Sequence, residues 1–449
     1  MTKGCIPSKM LVYPADLIRE AQAGERIGLS FDTPRIDWAN ITGRVWEQID
    51  YSKKIEKTLG EIDNLDIYKG TAEFTNPKEI KVTKSDGSIT QFHADIIVIA
   101  AGARSLIPSI EGLEKTGYIT SESFFGEKFP QKPFNSLVIL GAGAVGTEFA
   151  HIFSAFGTKV TLIQLSDRII PTEEEEVSEF VTENLSKNGV EIITNTKVTR
   201  AEKSASGKTV VAEDINSGKV RQIEAEEIFI CTGVRSNGDM LNLYNANIET
   251  DNKGYITVNE YLETSVKGIY AIGDINGKYQ FRHKANYEAM ILSKNLFDTE
   301  KKQQVAYDAT PWAIFTWPQV GHVGMTERMV REKGISYGIA RNSYSKIAGG
   351  VSMGITSESV DNGFAKIILG RDLKILGAHI AGPYASMLIQ PFVYLMNSGT
   401  VCTKHLSSET FSYDCPNMKT IAPMTNSMII HPSMNELAAW AFENVEWVE

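Results

Sequence analysis

The sequence predicts an α/β chain of two doubly wound units, one inserted into the other, followed by a C-terminal α+β domain. Three observations carry this. A Gly141-Ala142-Gly143-Ala144-Val145-Gly146 motif stands between a short apolar strand and a helix. On either side of it lie two similar stretches, around Ile96 to Arg104 and Ile228 to Arg235, each an apolar strand entering a Gly-containing turn with an Arg. From about residue 305 the chain becomes β-rich with helices between. The G-x-G-x-x-G spacing in that setting makes the two units Rossmann-like and nucleotide-binding. The expected boundaries are 1–125 and 251–304 for the outer unit, 126–250 for the inserted one, and 305–449 for the last domain.

Composition bounds the rest. The 449 residues are too many for one core and fit roughly three domains. Apolar residues make up 42% and charged residues 22%, as in ordinary globular proteins. The 45 basic and 55 acidic residues leave a net charge of −10, which argues against nucleic acid as a partner. No apolar run reaches the ~18 residues of a membrane span. Cys5, Cys231, Cys402 and Cys415 are too few and too scattered for a disulfide framework, and none has zinc-ligand spacing. A reducing, cytoplasmic setting is expected.

In chain order, Gly4-Cys5-Ile6-Pro7-Ser8-Lys9 places a thiol before a predicted helix, with Pro7 suited to its first position. A cysteine there feels the positive end of the helix dipole, which favours thiolate; the alternative is a small buried hydrophobe. Glu79 to Val82 alternates as a half-buried strand, Asp86-Gly87 turns the chain, and Ser88 to Phe92 returns it. Ile96 to Ala100 reads as a buried parallel strand ending in small residues.

Ser136 to Leu140 then leads into the glycine motif. Gly141 makes the tight turn, Gly143 admits a pyrophosphate to the backbone, and Gly146 lets helix and strand pack closely. Gly157 ends the helix and Lys159 to Ile163 is the next strand. An acidic residue after that strand would select NAD over NADP; Gln164 stands there instead, able to bond ribose hydroxyls without repelling phosphate. NAD is favoured and NADP is not excluded.

Thr172 and Glu175 predict a capping box, and Glu173 to Glu176 a solvated first turn, for a helix whose apolar stripe is Val177, Phe180, Val181 and Leu185. Cys231 reads as a small strand residue. Gly273-Asp274 ends another apolar strand, and a helix begins near His283-Lys284-Ala285. Ala385 to Asn397 reads as one mostly apolar helix. Near the end, His431-Pro432 followed by Glu436 supplies an imidazole and a carboxylate that could orient it and make it more basic.

These motifs, in this order, resemble the pyridine nucleotide–disulfide oxidoreductases, dimeric flavoproteins that include dihydrolipoamide dehydrogenase and mycothione reductase. The resemblance spans essentially the whole chain. It implies FAD and a nicotinamide nucleotide as cofactors, held at Ala101-Gly102, Gly141-Gly143-Gly146, Gln164, Gly233, Gly273-Asp274 and Ala285. Cys5 is implied as the flavin-proximal thiol and Lys9, paired with Glu148, as a neighbour of the flavin ring. His431, held by Glu436, is implied as the proton carrier to the thiols, reaching into the other subunit of a homodimer. The implied chemistry passes hydride between nicotinamide and flavin, then an electron pair to a disulfide.

The family pattern also has a second cysteine ahead of the one matched by Cys5, and a glycine-rich FAD-binding unit before it. The chain is therefore expected to be a truncated reading of a longer protein, roughly forty residues short. Residues 408–428 look like an insertion carrying Cys415. Ile6 to Lys9 look like dihydrolipoamide dehydrogenases, whereas Arg44-Val45-Trp46, Ile49-Asp50, Ala285 to Ala289 and Ala385 to Pro391 look like mycothione reductases. The expected partners are a small thiol or disulfide, a second copy of the chain and, for the first reading, a 2-oxoacid dehydrogenase complex. A non-catalytic nucleotide-binding dimer and a single-cysteine flavin oxidase or peroxidase are the competing classes.

Overall fold

The computed structural model describes residues 4–32, 34–205, 207–297, 302–398, 403–406, 409–412, 419–425, 429, 431, 433–443 and 445–448. Its elements are mixed α/β and fall into two compact units. One gathers the stretch ending at Pro7 with Trp46–Pro108 and Thr232–Tyr307; the other gathers Ser8–Val45, Ser109–Cys231 and the chain from Asp308 onward. No helix among the described residues is long and apolar enough to cross a membrane.

In the first unit, Thr71–Asn76, Glu79–Thr83 and Ile89–His93 form an antiparallel meander, with the expected Asp-Gly turn between its last two strands. Ile97–Ile99 pairs in parallel with Ile269–Ala271. The alternate residues Ile97, Ile99, Ile269 and Ala271 join Phe74, Ile256 and Ile275 in one core. The expectation of burial on both faces fails here, because Ile96 and Val98 remain 55% and 41% exposed. This sheet has only two strands among the described residues, and its core lies on one face.

The two similar Gly-Arg turns meet in this unit. Ala103–Ser105 pairs antiparallel with Val234–Ser236, setting Arg104 opposite Arg235. Two guanidiniums side by side repel, and Asp239 answers both: its carboxylate takes Arg104 in a bidentate grip at 2.7 and 2.9 Å and Arg235 at 2.6 Å.

The second unit holds a four-stranded parallel sheet in the order Glu227–Ile230, Ser136–Leu140, Lys159–Ile163, Glu191–Ile193. The chain winds outward from Ser136–Leu140 and later returns to its other side. The glycine motif thus sits at the carboxyl end of a strand where the winding reverses, the usual ligand position in such sheets. The C-terminal part is a six-stranded antiparallel sheet in the order Pro311–Ile314, Gln319–Gly324, Ile375–Gly382, Phe364–Gly370, Tyr337–Ser343, Val445–Val448. Ile367, Leu369, Ala378 and Ile380 of its central strands pack on Leu388, Ile389 and Phe392.

Four local expectations are corrected. The first helix is Cys5–Ala23, so Pro7 is its third residue; a first-turn N–H has no helical partner anyway, so the missing donor still costs nothing. The same helix carries Pro14 in its interior. The helix expected to start at Thr172 is Glu175–Lys187, with Glu174 at its N-cap and no side-chain capping bond. Glu173 and Glu174 are 2% and 6% exposed, not solvated, because they turn inward to cationic and imidazole partners. The single helix expected over 385–397 is two, Ala385–Leu388 and Gln390–Asn397. Pro391 explains the break, since it lacks the N–H that would continue the first segment.

Candidate active site

The first helix is fixed against Ala144–Ala155 by three rungs that advance together along both. Lys9 Nζ lies 2.8 Å from Glu148 Oε2, His151 Nε2 lies 2.8 Å from Asp16 Oδ1, and Arg19 Nη2 donates to Ser154 Oγ at 2.9 Å. The two helices therefore run parallel here. Burial draws the Arg19 guanidinium down to about 10. The upper rung has further support. Phe315 N–H donates to Glu148 Oε1 at 3.0 Å, and the Lys9 ammonium lies 4.3 Å from the centre of the Phe315 ring. Glu148 thus spends both oxygens on orienting Lys9 and the 315 backbone. Phe315 carries no sequence signal that links it to this pair.

Cys5 opens the first helix and is exposed. Cys231 is different. It is half-buried just past strand Glu227–Ile230, and burial pushes its thiol well above the ordinary range. Its Cβ lies 3.4 Å from where a side chain at Gly146 would begin, so it packs as a small residue, one position past the strand expected to contain it. Cys402 and Cys415 lie outside the described residues, as do residues 408, 413–418 and 426–428 of the expected insertion.

The glycine loop is built as its spacing predicts. Gly141 has φ +97°, open to glycine without strain, and a Cβ on Gly146 would sit 1.9 Å from the Gly141 carbonyl oxygen. A Cβ on Gly143 would meet nothing, so that face is open at the start of a twelve-residue helix. Gln164 braces the loop: Oε1 accepts from Ala142 N–H at 2.9 Å, and Nε2 donates to Ser166 Oγ at 2.6 Å. Arg168 donates to the Pro171 carbonyl at 3.1 Å and pairs with Glu175 at 3.2 Å.

In the first unit, Ala101 and Gly102 are held by Asn237, which donates Nδ2–H to the Ala101 carbonyl at 2.8 Å and N–H to that of Gly102 at 3.3 Å. Gly102 and Gly233 both have positive φ, +70° and +107°, and open space where a Cβ would stand. Asp274 lies in the short turn Gly273–Asn276. Burial pushes its carboxyl up, opposed by the charge of Lys284 and reinforced by that of Glu288. Beneath the turn lies a network the sequence reading missed. Lys284, 2% exposed, donates to the Gly273 carbonyl at 3.0 Å and pairs with Glu288 at 2.9 Å; Glu288 in turn accepts Gly273 N–H at 2.7 Å. The i, i+4 spacing of Lys284 and Glu288 was its signal. Ala285 sits 3.5 Å from the would-be Cβ of Gly273, where a larger residue would crowd the turn.

His431 and Glu436 are hydrogen-bonded through Nδ1 and Oε1. The imidazole is 65% exposed while the carboxylate is fully buried. A buried carboxylate on Nδ1 fixes the tautomer and leaves Nε2 facing solvent.

The glycine loop and the Asp274 turn lie within a match to pyridine nucleotide-disulphide oxidoreductases over residues 1–289, and a match to their dimerisation domain follows over residues 310–419. The chain belongs to this family. A mycothione reductase of Mycobacterium tuberculosis is 32% identical over 405 residues, covering 88% of this chain and 84% of the relative. A dihydrolipoyl dehydrogenase of Rhizobium etli is 30% identical over 417 residues, covering 88% and 84%. A mercuric reductase of Bacillus cereus is 31% identical over 388 residues, covering 86% of this chain and 59% of the relative. Among solved structures, the HOCl-induced flavoprotein disulfide reductase RclA from Escherichia coli, in a Cu(II) complex, superposes with a TM-score of 0.81 at 25% identity, covering 98% of this chain and 89% of that one.

Members of this oxidoreductase family are enzymes that use FAD and NAD(P)H. The open Gly143 face at a helix start fits a pyrophosphate. Gly102 and Asp274 follow the two paired strands Ile97–Ile99 and Ile269–Ala271 at their carboxyl ends, and with the open Gly233 turn they fit a second nucleotide.

Proposed function

We propose that this flavin-dependent disulfide oxidoreductase acts on a small dithiol or disulfide of the dihydrolipoamide type. The observation that carries the reading is the His431–Glu436 pair, a solvent-facing imidazole on a buried carboxylate. When bound, FAD and the nicotinamide supply two-electron hydride chemistry. Cys5, exposed at a helix start, is the flavin-proximal sulfur of a protein disulfide whose other half is the second cysteine of the family pattern; that disulfide is reduced by exchange as a substrate dithiol is oxidised. His431 Nε2 carries the proton lost or gained by a substrate sulfur, and Glu436 steadies the imidazolium that forms.

In this proposal Lys9, held by Glu148, places a positive charge beside the flavin ring. Ala101, Gly102, Gly233, Gly273, Asp274 and Ala285 shape the FAD cradle. Gly141, Gly143 and Gly146 receive the nicotinamide nucleotide's pyrophosphate, with Gln164 bracing that loop. The internal contacts of Arg168 support NAD over NADP, since its guanidinium is already engaged. Residues 126–250 are the nicotinamide-nucleotide domain, 1–125 with 251–304 the FAD domain, and 305–449 the dimer domain. A homodimer brings His431 of one copy to the thiols of the other, in a cytoplasmic setting, with a 2-oxoacid dehydrogenase complex as candidate partner.

A second reading, a reductase for a low-molecular-weight disulfide, is favoured by the 32% identity to a mycothione reductase. Steady-state assays separate the two. The first predicts NAD⁺ reduction by dihydrolipoamide. Activity confined to NAD(P)H oxidation by a thiol disulfide such as mycothione overturns it in favour of the second.

A further inference from the structure

Glu173, His322 and His379 are 2%, 0% and 0% exposed and lie outside the redox machinery. The main chain decides where hydrogens sit on the two rings. His322 Nε2 is 3.0 Å from the Gly324 carbonyl oxygen, and His379 Nε2 is 3.0 Å from that of Met325. A carbonyl only accepts, so both Nε2 atoms carry hydrogen. In the neutral rings both Nδ1 atoms are then bare lone pairs. They face each other at 3.1 Å, and His322 Nδ1 is 2.9 Å from Glu173 Oε2. Three lone pairs converge in a dry interior. Left unmatched they repel and cost several kcal/mol, on the order of a buried polar group without a partner per atom.

A cation resolves the conflict, either a proton or a metal ion. One proton on His322 Nδ1 points a single N–H at two acceptors and serves neither fully. A metal ion accepts all three lone pairs. The three ligand atoms lie within 4.8 Å of one another, and the 2.9 and 3.1 Å separations approach the roughly 3.3 Å edge of a tetrahedral zinc site with bonds near 2.0 Å. The surrounding groups also match. Each ring gives its Nε2–H to a backbone carbonyl, the arrangement that orients histidine ligands. Glu173 Oε1 receives the indole N–H of Trp312, whose ring stacks on His322 at 3.5 Å between centroids. Beyond them Glu174, Glu176 and Glu327 share Lys366, with Arg341 on Glu176 and Arg331 on Glu327, so these three carboxylates are matched by three basic groups and none of the three pairs with Glu173. Glu174 Oε1 also lies 3.5 Å from His379 Nε2.

We propose that Glu173, His322 and His379 form a buried site for one divalent transition-metal ion of borderline softness, with zinc as the representative. Two imidazoles and a carboxylate suit that class. The ion ties Glu173, two residues before helix Glu175–Lys187, to strands Gln319–Gly324 and Ile375–Gly382 and has a structural role, since no ligand is exposed.

The test is the metal content of the full chain produced in zinc-supplemented medium, washed with EDTA and passed through gel filtration. The expected result is about one zinc per chain for the wild type and for Cys5→Ser, and less than about a tenth for Glu173→Gln and His322→Gln. X-ray absorption at the zinc edge of the wild type, which needs no variant to fold, should show nitrogen and oxygen ligands without sulfur. Metal-free wild type, with only a proton in the knot, overturns the proposal. So does zinc that persists at full stoichiometry in His322→Gln, or sulfur ligation.

Discussion

Lys9 and Glu148, 139 positions apart, form an ion pair at 2.8 Å between two parallel helices. The pair is one rung of three, so its geometry is set by Asp16–His151 and Arg19–Ser154 as much as by its own attraction. Glu148→Gln keeps the shape and removes the charge. The stability cost should be small, about 1 kcal/mol, because Lys9 is one-third exposed. Flavin reduction by NADH should slow by about tenfold, equivalent to about 1.4 kcal/mol of lost transition-state stabilisation. Stopped-flow absorbance reads this; an unchanged rate shows that Lys9 does not act on the flavin.

His431→Gln should lower thiol turnover by about 10²- to 10⁴-fold, the usual worth of a general acid–base, while leaving hydride transfer to flavin intact. Glu436→Gln should lose less, with the loss confined to the thiol half-reaction, because it acts through His431. Equal losses in both half-reactions would show a folding defect instead.

Gly146→Ala should abolish nicotinamide-nucleotide binding. The added Cβ would stand 1.9 Å from a backbone oxygen that cannot move without opening the loop. Overpacking of this kind costs about 1–3 kcal/mol or more. Binding of NADH measured by fluorescence checks it, and Gly143→Ala, with open space at that position, should retain the fold.

Glu327 makes stability pH-dependent. Burial raises its carboxyl, but hydrogen bonds from Lys366 and Tyr337 prevail and hold it down at about 2. A carboxyl depressed in the folded state stabilises fully above its ordinary value near 4.5, and that contribution fades as pH falls through 2. It amounts to on the order of 2 kcal/mol after screening. Lys366 is 1% exposed and serves three carboxylates, so Lys366→Met should cost about 3–5 kcal/mol and move acid unfolding to higher pH. Urea titrations at pH 7 and pH 4 measure both effects; equal midpoints for wild type and variant would refute them.

Short-range pattern made much of this readable. The glycine loop, its two strands and the alternation in the meander rest on spacing within a dozen residues. Long-range pairing was not readable. Nothing inside Glu173 to Glu176 distinguishes a solvated turn from a buried one; His322 and Lys366, the partners that bury it, stand 149 and 192 positions away. Phe315, Asp16 and Arg19 were missed for the same reason. The break before Gln390 was readable in principle, since Pro391 stood in the predicted helix. The Lys9–Glu148 pairing was anticipated through family resemblance alone, which carries tertiary information that a single sequence does not.

Thiol accessibility should separate the two described cysteines. Iodoacetamide should modify Cys5 well before Cys231, whose half-buried thiol is pushed up by burial. Peptide mass spectrometry at timed intervals reads the order, and faster labelling of Cys231 would contradict the structure.

The central claim is that Cys5 carries the thiol chemistry. Its most direct measurement is NAD⁺ reduction by dihydrolipoamide in the FAD-loaded protein that carries both cysteines of the family pattern, taken as wild type, and in its Cys5→Ser variant. The account predicts turnover of about 1 s⁻¹ or faster in the wild type and a loss of at least about a thousandfold in the variant. A Cys5→Ser enzyme that keeps a tenth or more of wild-type turnover would contradict it.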